Sequence, residues 1–255
     1  MPEHTSALAD HGGSSVNKNR ILASLSADDY RRVRPHLRAQ ELPRDMVLYE
    51  SQQAIPDLCF VESGMVSLVT IMKPRSSESA LVGREGASGM ALFHRMPFAA
   101  ERAIVQAAGS AQMLPAARLP ELLDSCPSLA FRLHRFAYAL QALSAQSSAC
   151  NNAHATEKRL AKWLLLVDDR IEVSPLPLTH VFISQMLGVR RSTVTITADV
   201  LRAAGLIDYR RGKIQITDRE GLVRKSCECY GVLKRLYDAA LTEAAPAAGM
   251  ADAAN

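Results

Sequence analysis

Gly188 most narrows what this chain can fold into. It parts two short runs of helical periodicity, and glycine accepts the positive φ that a sharp turn between helices requires. The first run, His180 to Leu187, gathers Val181, Ile183, Met186 and Leu187 as apolar positions, with Thr179 placed as N-cap. Val189 follows the turn and is suited to tuck between the two helices. The second run opens at Arg190-Arg191-Ser192-Thr193 and turns Val194, Ala198 and Leu201 inward, with Gly205 as C-cap and Leu206 as its apolar partner. Helix, short glycine turn and helix make a helix–turn–helix.

The polar side of the second helix carries Arg191, Ser192, Thr195, Asp199 and Arg202. Guanidinium groups and short hydroxyls suit a major groove, because arginine can pair with guanine O6 and N7 at once and a hydroxyl can serve several bases. The helix N-terminus, Thr179, Arg190 and Thr193 are positioned for phosphates. Two short strands follow, Leu206–Tyr209 and Lys213–Thr217, with Arg210-Arg211-Gly212 between them as a basic hairpin tip, or wing. Thr217-Asp218-Arg219-Glu220 then reads as a capping box opening a further helix through Leu222 and Val223. Between residues 177 and 216 six Lys and Arg stand against two Asp. That net of +4 equals the excess of the whole chain. Concentrated basic charge attracts polyanions through counterion release, so the segment implies a duplex DNA partner.

The chain upstream reads as a different kind of module. Residues 1–18 are rich in Ser, Gly, His and Ala and are expected to form a disordered arm. Ile21, Leu22, Leu25, Tyr30, Val33 and Leu37 follow helical spacing, broken at Ser26-Ala27-Asp28, an N-cap signal for a second short helix. From Leu42 to Leu114 short apolar runs alternate with Gly, Pro and Ser, among them Leu58–Glu62 leading into a turn at Ser63-Gly64, Val66–Ile71, Ala80–Val82, Arg102–Gln106 and Ala111–Leu114. Such spacing indicates an antiparallel β-barrel or sandwich, a shape that offers a pocket for a small ligand. A long helix is predicted from Ser128 to about His154. On it Leu129, Leu133, Phe136, Leu140, Leu143, Ser147 and Cys150 recur at alternating spacings of four and three, a heptad seam. The stripe could pack on the β-module. The small residues Ala130, Ala137 and Ser144 and the length of the helix favour a seam between two chains. A domain boundary falls near residues 150–156, before a helix carrying Leu160, Trp163, Leu164 and Val167, and Ser174-Pro175-Leu176-Pro177 forms a loop inside the second domain.

Several classes are excluded or disfavoured. Cys59, Cys126, Cys150, Cys227 and Cys229 are odd in number and scattered, which points to a reducing compartment. Cys227-x-Cys229 lacks a second pair at zinc spacing and is read as structural or neutral, so no metal site is expected. The start Met-Pro-Glu-His-Thr has no apolar leader and no run reaches membrane-spanning length, so a cytoplasmic protein without membrane contact is expected. Gly83-Arg84-Glu85-Gly86 lacks the Lys-Ser/Thr of a phosphate loop, and no nucleophile–base pair stands out, so the chain is not read as an enzyme.

The run Leu178 to Ile216 closely resembles the DNA-binding domain of Crp–Fnr type transcription regulators. Upstream, Phe60-Val61-Glu62-Ser63-Gly64-Met65-Val66 resembles the family's β-roll motif, and Val82-Gly83-Arg84-Glu85-Gly86-Ala87-Ser88-Gly89 its turn into the ligand pocket, so the likeness spans about residues 19–238. The resemblance implies an α+β chain. It comprises an antiparallel β-roll sensor domain at 19–127, a dimerisation helix at 128–153, a winged helix–turn–helix at 154–238 and a flexible tail at 239–255. It implies a homodimer on a two-fold symmetric DNA site, contact with RNA polymerase, and an unidentified small effector. The implied DNA-contacting set is Thr179, His180, Arg190, Arg191, Ser192, Thr193, Thr195, Ile196, Arg202, Arg210, Arg211 and Lys213. The implied effector pocket falls at Gly83, Gly89, Met90, Arg102 and Ala103. There the chain departs from members that bind cyclic nucleotides: Met90 stands where a ribose-binding Glu belongs and Ala103 where a Ser joins the Arg, which argues against cyclic AMP. Residues 1–58 hold no Cys, so the N-terminal iron–sulfur ligands of oxygen-sensing members are missing, and the isolated His94 and His134 are read as ordinary residues, not haem ligands. The family's base-reading places fall on Arg191, Ser192 and Ile196; only the Arg is kept, and Ile196 suits a thymine methyl group. A different class of function, a sensor that signals through protein association, is disfavoured by the basic wing.

Overall fold

A computed structural model describes residues 17–72, 76–171 and 173–242 of the chain. Its first elements are fastened by their caps. Asn19 precedes α1 (Arg20–Ala23) and accepts from the Ile21 and Leu22 amides (both 3.1 Å), while its side-chain amide donates to the Val61 and Gly86 carbonyls (both 2.8 Å). Ser26 caps α2 (Ala27–Val33) by accepting from the Asp29 amide (3.2 Å). Asp29 in turn accepts from the Ser128 amide and hydroxyl (2.7 and 2.6 Å), pinning α2 to a distant helix start.

Among the described residues six antiparallel strands follow: β1 (Arg38–Leu42), β2 (Val47–Tyr49), β3 (Asp57–Ile71), β4 (Ser76–Val82), β5 (Ala87–Ser88) and β6 (Arg102–Pro115). The sheet order is β1-β6-β3-β4, with β2 added on β6 and β5 on β3. The runs expected as separate strands on either side of Ser63-Gly64 are one 15-residue strand, and 102–106 and 111–114 are likewise one strand of 14. Ser63-Gly64 is a bulge and not a chain reversal, since pairing with β6 slips between Val61 and Val66. Gly64 has φ +77°, and a Cβ there would lie 2.4 Å from the Ala107 carbonyl oxygen. Glycine thus lets two long strands bend together where periodicity suggested a break.

The long helix α4 spans Pro127–Ala153, after α3 (Leu119–Ser125). Its seven-residue stripe points inward within the same chain. Leu129, Leu133, Phe136, Leu143 and Cys150 are buried, and Leu140 and Ser147 half-buried. Phe136 meets Gly86 so closely that a Cβ on that glycine would lie 2.1 Å from the ring. The proposed two-chain seam is therefore already covered by the chain's own residues, and the packing alternative describes it.

The C-terminal half holds α5 (Thr156–Asp168), α6 (His180–Leu187), α7 (Arg191–Ala203), β7 (Ile207–Arg210), β8 (Lys213–Ile216), α8 (Arg219–Lys225) and α9 (Cys229–Thr242). Helix α9 folds back along α4. Arg132 Nη1 donates to the Leu241 carbonyl (3.2 Å), Arg135 Nη2 to that of Ala239 (2.7 Å), and Tyr237 packs on Phe136. Ala240 and Leu241 are buried, so residues 239–242, expected in a tail, are helix; 243–255, like 1–16, lie outside the described residues. Two further polar contacts join β4 and the turn after it to the C-terminal half: a buried ion pair of Arg170 Nε with Glu85 (2.8 Å), and Trp163 Nε1 donating to Glu78 (2.9 Å).

Candidate nucleic-acid interface

The helix–turn–helix forms from its local signals. Thr179 Oγ1 accepts from the Phe182 amide (3.2 Å) and starts α6. Gly188 ends that helix in the left-handed region at φ +65°. Val189 is half-buried, and Arg190 leads into α7 without a side-chain cap, leaving the first amides of α7 without a partner from it. Val194, Ala198 and Leu201 are buried as the periodicity required, and Thr197 joins them, its hydroxyl donating to the Thr193 carbonyl (2.8 Å).

The outer face of α7 presents Arg191, Ser192, Thr195, Ile196, Asp199, Val200 and Arg202. Ile196 is 67% exposed and Val200 43%, an apolar pair one turn apart amid polar neighbours. Val200 was not singled out from sequence; an apolar residue at i+4 from Ile196 on the polar side was the available signal. Arg202 is held by Asp199 (2.9 Å) in an exposed pair. Such pairs contribute little in water and are readily exchanged for another anion. Thr193 is half-buried, nearer the helix flank.

The wing turns at Arg211-Gly212, with φ +47° and +76°, the doubly positive pair of a tight hairpin. Arg210 pairs across it with Lys213, and its side chain is 85% exposed beside Asp208 (3.0 Å). The hairpin is anchored at its base, where Leu176 and Ile214 exchange both backbone hydrogen bonds (2.7 and 2.9 Å). Its tip lies beside the start of α6, since a Cβ on Gly212 would be 3.4 Å from Thr179 Cγ2. Thr179 and the hairpin tip are therefore neighbours, and His180, next to Thr179, links them to α7 at Thr195.

His180 has a different place from the one expected. It is buried, stacked on Tyr209 with ring centroids 4.0 Å apart, and its Nδ1 lies 3.0 Å from Thr195 Oγ1. The Thr195 hydroxyl can donate to the Arg191 carbonyl (3.2 Å), leaving it to accept from the imidazole. Burial, and then the nearby Arg191 charge, hold the imidazole pKa below its usual value, favouring the neutral ring. His180 thus joins α6, α7 and the wing from within and is not a contact on the surface.

Of the expected effector positions, Gly89 and Ala103 both adjoin Tyr49, and Gly83 lies apart. Met90 and Ala103 are buried in the barrel core, and Gly89 takes φ +93° at its bend. Arg102 is committed to Glu50 through two parallel bonds of 2.7 Å, which hold the Glu50 carboxyl below its usual pKa. Gly83 belongs elsewhere: a Cβ there would strike the Arg170 side chain at 2.8 Å, at the contact between the halves. His94 and His134 are exposed, both edge-on to Phe93. Among the described residues no helix is long and apolar enough to cross a membrane.

Residues 158–225 match the family model described as the Crp-like helix-turn-helix domain. Several solved structures share the fold. FixK2 from Bradyrhizobium japonicum aligns at TM-score 0.65 and 17% identity over 75% of this chain and 98% of its own. TTHA1359, a transcriptional regulator of the CRP/FNR family from Thermus thermophilus, aligns at 0.59 and 22% identity over 74% and 98%. TTHB099, a CRP-family transcriptional regulator from the same organism, aligns at 0.59 and 20% identity over 73% and 96%. No curated protein sequence matches the chain.

Proposed function

We propose that this protein binds a specific two-fold symmetric DNA site as a homodimer and regulates transcription from it, because residues 158–225 are a Crp-like helix–turn–helix domain within the fold of the Crp/FNR transcription regulators. The observation that carries the reading is the outer face of α7, open to solvent along its length and flanked by the basic wing. Arg191 and Ser192 stand at the N-terminal end of that face, where a recognition helix meets base edges. Ile196 and Val200 suit thymine methyl groups. Arg190, Arg210, Arg211, Lys213 and the open N-terminus of α7 supply phosphate contacts that set the register.

Five residues of the inner stripe, Leu129, Leu133, Phe136, Leu143 and Cys150, are taken up by the chain's own packing. Another stripe runs along α4 on its solvent side: Phe131, Tyr138 and Ala145 seven residues apart, with Ala142 and Ala149 between their lines. Tyr138 is 65% exposed there. Heptad spacing of large aromatic and small residues suits a close helix pair, and this face is the proposed dimer seam. Pairing there would present two α7 helices to successive major grooves, about 34 Å apart along the duplex. A small effector in the barrel would reach the DNA-binding half through the contacts at Glu85–Arg170 and Glu78–Trp163.

The test is selection of genomic fragments retained by the purified full chain, followed by binding measurements over a range of salt. The expected result is one enriched inverted repeat whose affinity falls steeply with salt, by a slope of about 0.9 per phosphate neutralised. Retention of no sequence above background, with no salt-sensitive affinity for duplex, would remove the reading.

A further inference from the structure

Four side chains that the DNA-binding surface does not use converge where α4 ends. Cys150 lies in the last turn of α4 and His154 just after it; Cys227 and Cys229 bracket the entry to α9. All three cysteines are buried, in a cluster separate from the main core. One ligand atom from each of the four residues lies within 4.8 Å of every other. Cys150 Sγ is 3.6 Å from Cys227 Sγ, and Cys229 Sγ is 3.6 Å from His154 Nδ1.

We propose that Cys150, His154, Cys227 and Cys229 form a tetrahedral Cys3His site for a divalent ion of the zinc class, tying the end of α4 to the start of α9. Bonds of about 2.3 Å to sulfur and 2.0 Å to nitrogen put tetrahedral ligand atoms roughly 3.5–3.8 Å apart. Two of the contacts within the cluster already have that length. The surroundings complete what such a site needs. Glu228 Oε1 lies 3.1 Å from His154 Nε2, fixing the ring with Nδ1 toward the sulfurs, as a carboxylate behind a metal-bound histidine does. Gln146 Nε2 donates to Cys229 Sγ (3.1 Å). The Arg159 guanidinium interacts with Cys150 and Cys227. Three thiols release three protons on binding, so an ion of charge +2 leaves the site at −1, a charge that the field of the Arg159 guanidinium favours.

Four protein ligands and no open position describe a structural centre and not a catalytic one. An iron–sulfur cluster interposes several atoms between its ligands and needs them farther apart. A Cys150–Cys227 disulfide would use two of the four groups and leave Cys229 and the His154–Glu228 pair without a purpose. Sequence reading passed over the site because Cys150 and Cys227 are 77 residues apart and Cys227-x-Cys229 is shorter than the usual spacing. The inference stands independently of DNA binding.

The experiment is elemental analysis of the full chain, purified under reducing conditions without chelator or metal-affinity tag. About one zinc-class ion per chain is expected. Cys229→Ser and His154→Gln should lose it, whereas Cys59→Ser, in the barrel, should keep it. Glu228→Gln should weaken affinity by about tenfold or more. Since a ligand variant can fail to fold, the wild-type chain is also stripped, shown folded by circular dichroism, and titrated with Co2+. An intense visible spectrum of tetrahedral cobalt with thiolate charge transfer, displaced by Zn2+, supports the site. A folded, reduced chain that takes up no cobalt, a six-coordinate spectrum without sulfur charge transfer, or a metal-free chain bearing a Cys150–Cys227 disulfide overturns it.

Discussion

Helices α4 and α7 are both two-sided, and they differ in what covers each side. In α7 the division is clean: Val194, Thr197, Ala198 and Leu201 face the domain, and the opposite side is polar except for Ile196 and Val200. In α4 both sides are apolar, with Leu129, Leu133 and Phe136 against the chain's own core and Phe131, Tyr138 and three alanines toward solvent. A spacing of four and three reports that a stripe is buried. It does not report whose atoms bury it, because packing of one helix on another within a chain and between chains obeys the same geometry. A short helix with one apolar side leaves no such choice.

The largest effects separate the two sides of α4. Phe136→Ala should lower the stability of the chain by about 3–5 kcal/mol, seen as a lower urea midpoint, because the ring is fully buried against Gly86 and Tyr237. Ala145→Glu should leave the unfolding of the single chain nearly unchanged. It should cost several kcal/mol of dimer association, since a parallel pair brings the new charge near its own copy. Sedimentation of the two variants reads the difference. If Ala145→Glu destabilises the chain and leaves it dimeric, the outward face is not the seam.

What could be read in advance follows the same line. The helix–turn–helix was legible residue by residue because its signals are local: Thr179, Gly188 and Gly205 lie within one helical turn of what they control. The N-cap at Ser26 was legible for the same reason, whereas the expected capping box at Thr217 is displaced by one residue: Asp218 caps α8, and the Thr217 hydroxyl donates to the Gly205 carbonyl. The bulge at Gly64 was not, because its glycine answers to the Ala107 carbonyl of another strand. His180 looked like a surface residue at a helix start, and only its stack on Tyr209, far along the chain, draws it inside. The Cys–His cluster was invisible for a like reason, being assembled by the return of α9 to α4.

On the exposed side of α7 effects should fall on binding and not on folding. Arg191→Ala is expected to cost about 1–3 kcal/mol of specific affinity and to relax preference at one base position in each half-site. Arg211→Ala, at the wing tip, should weaken all sequences alike and lower the salt slope by about one. Both should unfold at the wild-type urea midpoint, since neither side chain is buried. Repeating the fragment selection with each variant is the check, and an unchanged consensus for Arg191→Ala would take that residue out of base reading.

The smallest expected effect lies beneath α7 and depends on pH. His180 is held below its ordinary pKa of 6.5, first by burial and then by Arg191, so the folded chain resists a proton that the unfolded chain accepts. Stability linked to this ring is therefore constant above about pH 6.5, declines as pH falls below it, and levels off once pH reaches the lowered folded value. The Leu and Phe side chains of the inner stripe of α4 carry no proton to exchange and have no counterpart to this effect. His180→Phe keeps the stack on Tyr209 and removes the proton site. Comparing thermal midpoints of the two proteins between neutral and mildly acidic pH isolates the contribution, because the other histidines are common to both. The wild-type protein should lose more stability on acidification than the variant. Parallel curves would mean that the ring titrates as freely in the folded chain as in the unfolded one, and that α7 does not rest on a neutral imidazole.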